Sequence, residues 1–316
     1  MAVNLIILLV LVALAGASAW LMRRSWRSKR KFLKWAGAVL SSLATVLLTL
    51  VSVLVTLGFY STYSPRGNPV VEETVSITPE RVARGQHIAE AICSSCHSLD
   101  DSLPLSGGKN IAEDIPMPLG NLTPPNLTPA GNLKGWSDGE ILRAVREGTS
   151  KNGHLMPVMS VQGFREFSDE DLRSVIAYVR SQPPVVHETP GENLTVLALA
   201  FLTLGFIPTK PVPEPGTVAS IPVGATVEYG AYVTRIIGCS ECHGEELTGG
   251  KGGLLPKGPD LRVVKGWSEE QFVKTLRTGE DPSGHVLDAD DMPWKFIGRL
   301  TDSELSGLYK YLISLN

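Results

Sequence analysis

Two uninterrupted apolar runs open the chain, 2–22 (AVNLIILLVLVALAGASAWLM) and 35–60 (WAGAVLSSLATVLLTLVSVLVTLGFY). Each is uncharged and long enough to cross a hydrocarbon core of about 30 Å as a helix. After residue 60 the pattern changes to short amphipathic stretches between Gly- and Pro-rich loops. A third apolar stretch, LTVLALAFLTLGFI (194–207), has fourteen residues, too few to span a bilayer. It reads as a packing helix between the regions on either side, with a membrane-surface or partner contact as the competing reading.

The amphipathic stretches carry helix-end signals. Thr78-Pro79 predicts an N-cap followed by Pro at the first helical position. Ser137 with Glu140, Ser268 with Gln271 and Thr301 with Glu304 have capping-box spacing. Gly148 and Gly279 stand where helix C-terminal glycines belong. No alternating strand pattern lies between these signals, so the chain reads as all-α: a two-helix transmembrane hairpin followed by small helical units.

Charge then orients the hairpin. Residues 1–60 contain no Asp or Glu and seven basic residues, Arg23, Arg24, Arg27, Lys29, Arg30, Lys31 and Lys34, all in the connection between the apolar runs. The positive-inside rule places that loop in the cytoplasm and everything after Tyr60 outside. A signal peptide cleaved near AGASA (15–19) is the competing reading of the first run. It lacks the positive n-region such a peptide carries, and it too leaves the body outside. The rest of the chain holds 22 basic residues against 32 acidic ones. An acidic body without a basic stripe excludes a nucleic-acid partner and suits a basic protein partner through electrostatic steering.

The body contains one text twice. CSSCH (93–97) matches CSECH (239–243), PNL (125–127) matches PDL (259–261), and KGWSDGEILRAVREG (134–148) matches KGWSEEQFVKTLRTG (265–279). GH at 153–154 matches GH at 284–285 at an offset of 131, and FSDEDLRSVIAYV (167–179) matches LTDSELSGLYKYL (300–312) at 133. The first copy has twelve more residues between its motif His and the Pro of PNL, 28 against 16.

All four cysteines fall in the two C-x-x-C-H motifs. On a helix, positions i, i+3 and i+4 share a face. Cys93 and Cys96, and likewise Cys239 and Cys242, can each form two thioethers to the vinyl groups of one haem, with His97 or His243 reaching the iron from the same side. A thiol–disulfide centre would not require the histidine in both copies, nor come without a βαβ context. A shared zinc site would have to join cysteine pairs that lie in separate repeat units. Two covalently bound haem c groups are therefore expected.

On these motifs each copy resembles a class I cytochrome c domain. The pair resembles the membrane-anchored dihaem cytochromes c of bacterial respiratory chains. The resemblance implies two tandem domains, 79–183 and 226–316, behind a hairpin at 1–62, with a Pro-rich linker (184–225) between the domains. It implies that Pro125 and Pro259 accept a hydrogen bond from the haem-ligating histidine, which orients the ring. It also implies that Trp136 and Trp267 pack on the haem, core packing being the alternative. A methionine as sixth ligand fills the iron, raises its potential and suits electron transfer. The second copy offers Met292, eight residues before Leu300. In the first copy the same spacing back from Phe167 selects Met159, with Met156, Met117 and His154 as the other donors nearby.

The chain is thus expected to be a dihaem electron carrier with no catalytic residues of its own, multi-pass in the bacterial cytoplasmic membrane, its haem domains on the outer face. It would sit in lipid within or beside a respiratory or photosynthetic complex. Electrons would pass from a quinol-oxidising complex or dehydrogenase to an oxidase, a reaction centre or a soluble redox protein. A dihaem peroxidase is the rival, disfavoured by matched methionines in both copies.

Overall fold

The structure, a computed structural model, describes residues 2–161, 163–207, 209, 216–250 and 257–316. The PVPEP part of the expected linker (211–215) lies outside the described residues. The chain divides into two compact units, one of residues 1–64, 112–122 and 192–209, the other of 65–111, 123–191 and 210–316.

In the first unit, α1 (Ala2–Trp26) and α2 (Lys31–Tyr63) form the hairpin. Both run beyond the expected spans and are apolar enough to cross a membrane. Their outward faces carry exposed leucines and valines such as Leu9, Leu40 and Val46. That surface is stable in hydrocarbon but not in water. The unit also takes in two later segments. β1 (Gly120–Asn121) pairs antiparallel with β2 (Asn193–Leu194), and Thr195 then N-caps the short apolar helix α8 (Val196–Thr203). The helix expected between the cytochrome-like domains therefore belongs with the hairpin. Its backbone lies so close to α2 that a Cβ on Gly58 would overlap the carbonyl of Leu199. The Asn4 side chain, buried in this unit, donates to the Leu194 carbonyl at 2.6 Å. Burying that amide is tolerable only because it is paired.

The second unit holds both repeats. The first comprises α3 (Pro79–Ile88), a π turn (Ala89–Cys93), α4 (Ser94–His97), α5 (Asp138–Glu147), α6 (Pro157–Val161) and α7 (Asp169–Ser181). The second comprises α9 (Val227–Ile236), α10 (Cys239–His243), α11 (Glu269–Thr278), α12 (Trp294–Ile297) and α13 (Asp302–Ser314). The expected caps are present. Thr78 accepts from Arg81 N, three capping boxes close, and Gly148 and Gly279 take left-handed conformations.

In each repeat the first helix crosses the last at a glycine. A Cβ on Gly85 would overlap the Ser174 carbonyl, and one on Gly230 the Gly307 carbonyl. The two crossings pack against each other through one buried core, with Tyr229, Tyr232, Leu172, Ile176, Leu305 and Leu308 among its members.

A polar network lies inside that contact. Arg84 donates to Asp171 (2.8 Å) and to Glu304 (2.8 Å), Tyr229 Oη donates to Glu304 (2.8 Å), and Tyr232 Oη donates to Asp171 (2.6 Å). His87 Nε2 lies 2.6 Å from the other Glu304 oxygen. Arg84 and Tyr229 hold corresponding positions in the two repeats, as do His87 and Tyr232, and Asp171 and Glu304. The contact is therefore nearly two-fold symmetric. Burial alone would raise the pKa of Glu304, but bonds from His87, the Thr301 amide and Arg84 hold it well below the carboxylate range. Every member of the network is bonded, which is the condition for burying such groups without a net penalty.

Candidate functional site

Each C-x-x-C-H segment is helical, so its two cysteines and its histidine face one way. His97 Nδ1 meets the Pro125 carbonyl at 2.9 Å and His243 Nδ1 meets the Pro259 carbonyl at 2.7 Å. A carbonyl only accepts, so Nδ1 is the donor in both rings, and in a neutral ring the lone pair then lies on Nε2. That tautomer is the metal-ligand form. Burial pushes the His97 imidazolium pKa down, partly offset by the bond to the Pro125 carbonyl.

Matched backbone bonds hold the loop beneath each histidine. Gly107 N donates to His97 O and Gly249 N to His243 O. Leu127 N donates to Leu105 O and Leu261 N to Leu247 O. Gly108 and Gly250 each lie so close to the carbonyl of the second cysteine, Cys96 or Cys242, that a Cβ would overlap it. The loop thus approaches the end of each motif too closely for a side chain at either glycine.

The thiols are not poised for thiolate chemistry. Burial pushes Cys93 and Cys239 up to about 12, and raises Cys96 and Cys242 as well. A zinc or disulfide-exchange site needs the opposite shift. Among the described residues no three His, Cys, Asp or Glu side chains converge to hold a metal ion. Paired neutral thiols beside a lone-pair imidazole fit covalent haem attachment with axial histidine ligation.

The methionines expected as ligands lie in the loops before the closing helices. Met292 packs against the core, and Trp294, two residues on, lies over left-handed Gly279 and donates to Leu287 O at 3.1 Å. In the first repeat Met159 lies in α6, and the next residue, buried Ser160, lies over left-handed Gly148. Met156 instead donates through its amide to Gly148 O, as Leu287 does to Gly279 O. Met156 thus matches Leu287, and Met159 stands beside the glycine cover as Met292 does. Met117 belongs to the unit of the hairpin. His154 sits in a tight turn with its carbonyl accepting from Ser150 N, as His285 does with Asp281 N.

Trp136 and Trp267 are partly buried against the core, and their carbonyls accept from Arg180 and from Tyr309 Oη. Sequence reasoning missed Asn126. It is fully buried, accepts from Thr128 N at 2.9 Å, and donates to Val185 O (2.8 Å) and His187 O (3.0 Å). It ties the loop next to Pro125 to the chain that follows α7. An Asn directly after the Pro was the available signal, but its partners lie some sixty residues away.

Residues 82–183 match the family model for cytochrome c, and residues 225–312 match that for cytochrome c oxidase, cbb3-type, subunit III. Among curated proteins, the chain is similar to a nicotinate dehydrogenase subunit of Pseudomonas putida, 29% identical over 73% of this chain and 21% of that protein. It is also similar to the cytochrome c subunit of the quinone alcohol dehydrogenase of Gluconobacter oxydans, 26% identical over 74% of this chain and 54% of that protein. The fructose dehydrogenase cytochrome subunit of Gluconobacter japonicus is 23% identical over 79% of this chain and 56% of that protein. The chain spans about a fifth of the first relative and little more than half of the other two.

Proposed function

The chain is a cytochrome c of two tandem domains behind an apolar helix pair, and on that premise we propose that it is the membrane-bound electron-transfer subunit of a dehydrogenase complex. It carries two haem c groups, one on Cys93 and Cys96 and one on Cys239 and Cys242. His97 with Met159, and His243 with Met292, would ligate the two irons. Haem bound in this way supplies one-electron redox chemistry at iron.

The protein's part is positioning and exclusion. The Pro125 and Pro259 carbonyls hold the Nδ1–H of each histidine, which would leave Nε2 free to ligate an iron. The methionine loops, folded over Gly148 and Gly279, would supply the second ligand to each iron and exclude substrate and water from it. Both α1 and α2 cross the membrane, with the connecting basic loop on the cytoplasmic side and the cytochrome domains on the periplasmic side. Electrons enter from a membrane dehydrogenase or quinol-oxidising partner and leave to an oxidase, a reaction centre or a soluble cytochrome.

The observation that carries this reading is the repeated histidine–carbonyl pair beside two partly buried cysteines a helical turn apart. Purification in mild detergent tests it, combined with a pyridine haemochrome assay and carbon monoxide titration of the reduced protein. Two haems per chain, a co-purifying dehydrogenase and no rapid stoichiometric carbon monoxide binding are expected. One haem per chain, or rapid binding at either haem, overturns the reading.

A further inference from the structure

Arg299 lies in the second repeat, just before the closing helix α13, yet its polar partners are in the first repeat. Its Nη1 donates to the Glu90 carbonyl (2.8 Å), to Ser94 Oγ (2.8 Å) and to the Asp101 carbonyl (2.7 Å). The guanidinium also stacks on the Phe296 ring, 4.8 Å from its centroid, which fixes the side chain's direction.

These three acceptors bracket the first haem motif. Glu90 lies three residues before Cys93, Ser94 follows it, and Asp101 lies four residues after His97. The backbone there is unusual at both ends. Residues 89–93 form a π turn, in which Ser94 N–H reaches back to Ala89 O. The Glu90 carbonyl is taken instead by Ser94 Oγ and Arg299. Asp101 holds a left-handed conformation (φ 63°), uncommon for a residue with a side chain. One cation therefore ties the entry and the exit of the attachment helix.

The repeat supplies an internal control. The residue matching Arg299 is Glu166, and the residue matching Glu90 is Arg235. These two form a side-chain pair at 3.5 Å with both side chains about half exposed, and the second motif is entered through left-handed Gly238 in place of a π turn. An exposed pair of this kind contributes little. The backbone tie exists on one side only, and on the other the matching cation, Arg235, is offset by Glu166.

We infer that Arg299 is a cross-domain positioning residue that shapes the first haem-attachment turn and raises the potential of the first haem, which makes that haem's potential a property of both domains. This rests on the haem assignment above. A fixed cation favours the form with one more electron, because the reduced site carries one less positive charge.

Redox titration of the detergent-solubilised holoprotein tests it. Met292→His, which lowers the second haem's wave, assigns the two waves. Arg299→Gln is expected to lower the reduced-to-oxidised ratio of the first haem at fixed ambient potential by roughly fivefold and to leave the second in place. Arg299→Lys, which keeps the charge and offers three donors, restores the wild-type ratio, and Glu166→Gln moves neither wave. A wild type without two titrating haems overturns the dihaem reading. Two waves with the first unmoved by Arg299→Gln, or with both moved equally, overturn the role of Arg299.

If Arg299→Gln does not accumulate with haem, Ser94→Ala carries the test through hydrogen exchange. Amides 89–98 are then expected to lose protection while amides 239–243 keep theirs. Unchanged protection of both segments overturns the role.

Discussion

The two cytochrome domains share a motif, a loop plan and a set of helix caps, and they differ in what surrounds the histidine. In the first, Asn126 is fully buried and bonded to residues 185 and 187, His187 Nδ1 meets the Ser106 carbonyl at 2.7 Å, and Gln182 accepts from Leu105 N. In the second, the matching residue is Asp260, partly exposed and paired with Arg262, its neighbour but one. The thiols follow the same trend. Burial is the largest cause of the upward shift at both Cys96 and Cys242, and the acidic neighbours Glu241 and Asp291 add to it only at Cys242. A duplicated domain thus keeps its histidine–carbonyl geometry while its environment diverges. The first domain is wrapped by later chain, and the second meets solvent through an acidic rim.

That comparison breaks most visibly if the two histidines are not equivalent. His97→Ala and His243→Ala are each expected to reduce the haemochrome yield from two haems per chain to about one, since thioether attachment depends on the same segment. The next largest effect separates the methionines. Met159→His should lower only the first haem's potential and Met292→His only the second's, each by ~100 mV or more in spectroelectrochemical titration. Met156→Leu should move neither, and a shift there would transfer the ligand role to Met156.

Stability offers a third test, because the domain contact is nearly symmetric in position and unequal in burial. Glu304→Ala leaves His87 without its carboxylate and Arg84 with Asp171 alone, and is expected to cost ~3–5 kcal/mol in denaturant unfolding of the holoprotein. Asp171→Ala, at the more open end of the network, should cost ~2 kcal/mol. The Glu304 carboxyl has its pKa depressed in the fold. Its contribution is therefore complete above about pH 4.3, the ordinary Glu value, and is lost as the pH falls toward the folded value. Melting temperature followed from pH 7 to pH 3 should show this loss, and Glu304→Gln should flatten the slope. The smallest effect is expected to be equal in the two domains. Ser137→Ala and Ser268→Ala each remove one capping box at ~1 kcal/mol, and a clear inequality would show that one helix is held mainly by its packing.

What the amino-acid order determined by itself is local. Caps at Ser137, Ser268 and Thr301, the glycine helix ends and the C-x-x-C-H geometry follow from groups within four residues of one another, where the backbone leaves few choices. The duplication made the methionine loops comparable, and the structure adds that a residue shortly after each of Met159 and Met292 packs over a left-handed glycine.

Tertiary structure decided the rest, through pairs too distant for any periodicity to announce. Residues 112–122 and 192–209 join the hairpin through a two-residue strand pair and a helix fitted against Gly58. Arg84 meets Glu304 across 220 positions, and Arg299 meets Glu90 across 209. Such contacts form only after several helices have buried their apolar faces. The lowered dielectric around them then gives a single carboxylate or guanidinium its leverage.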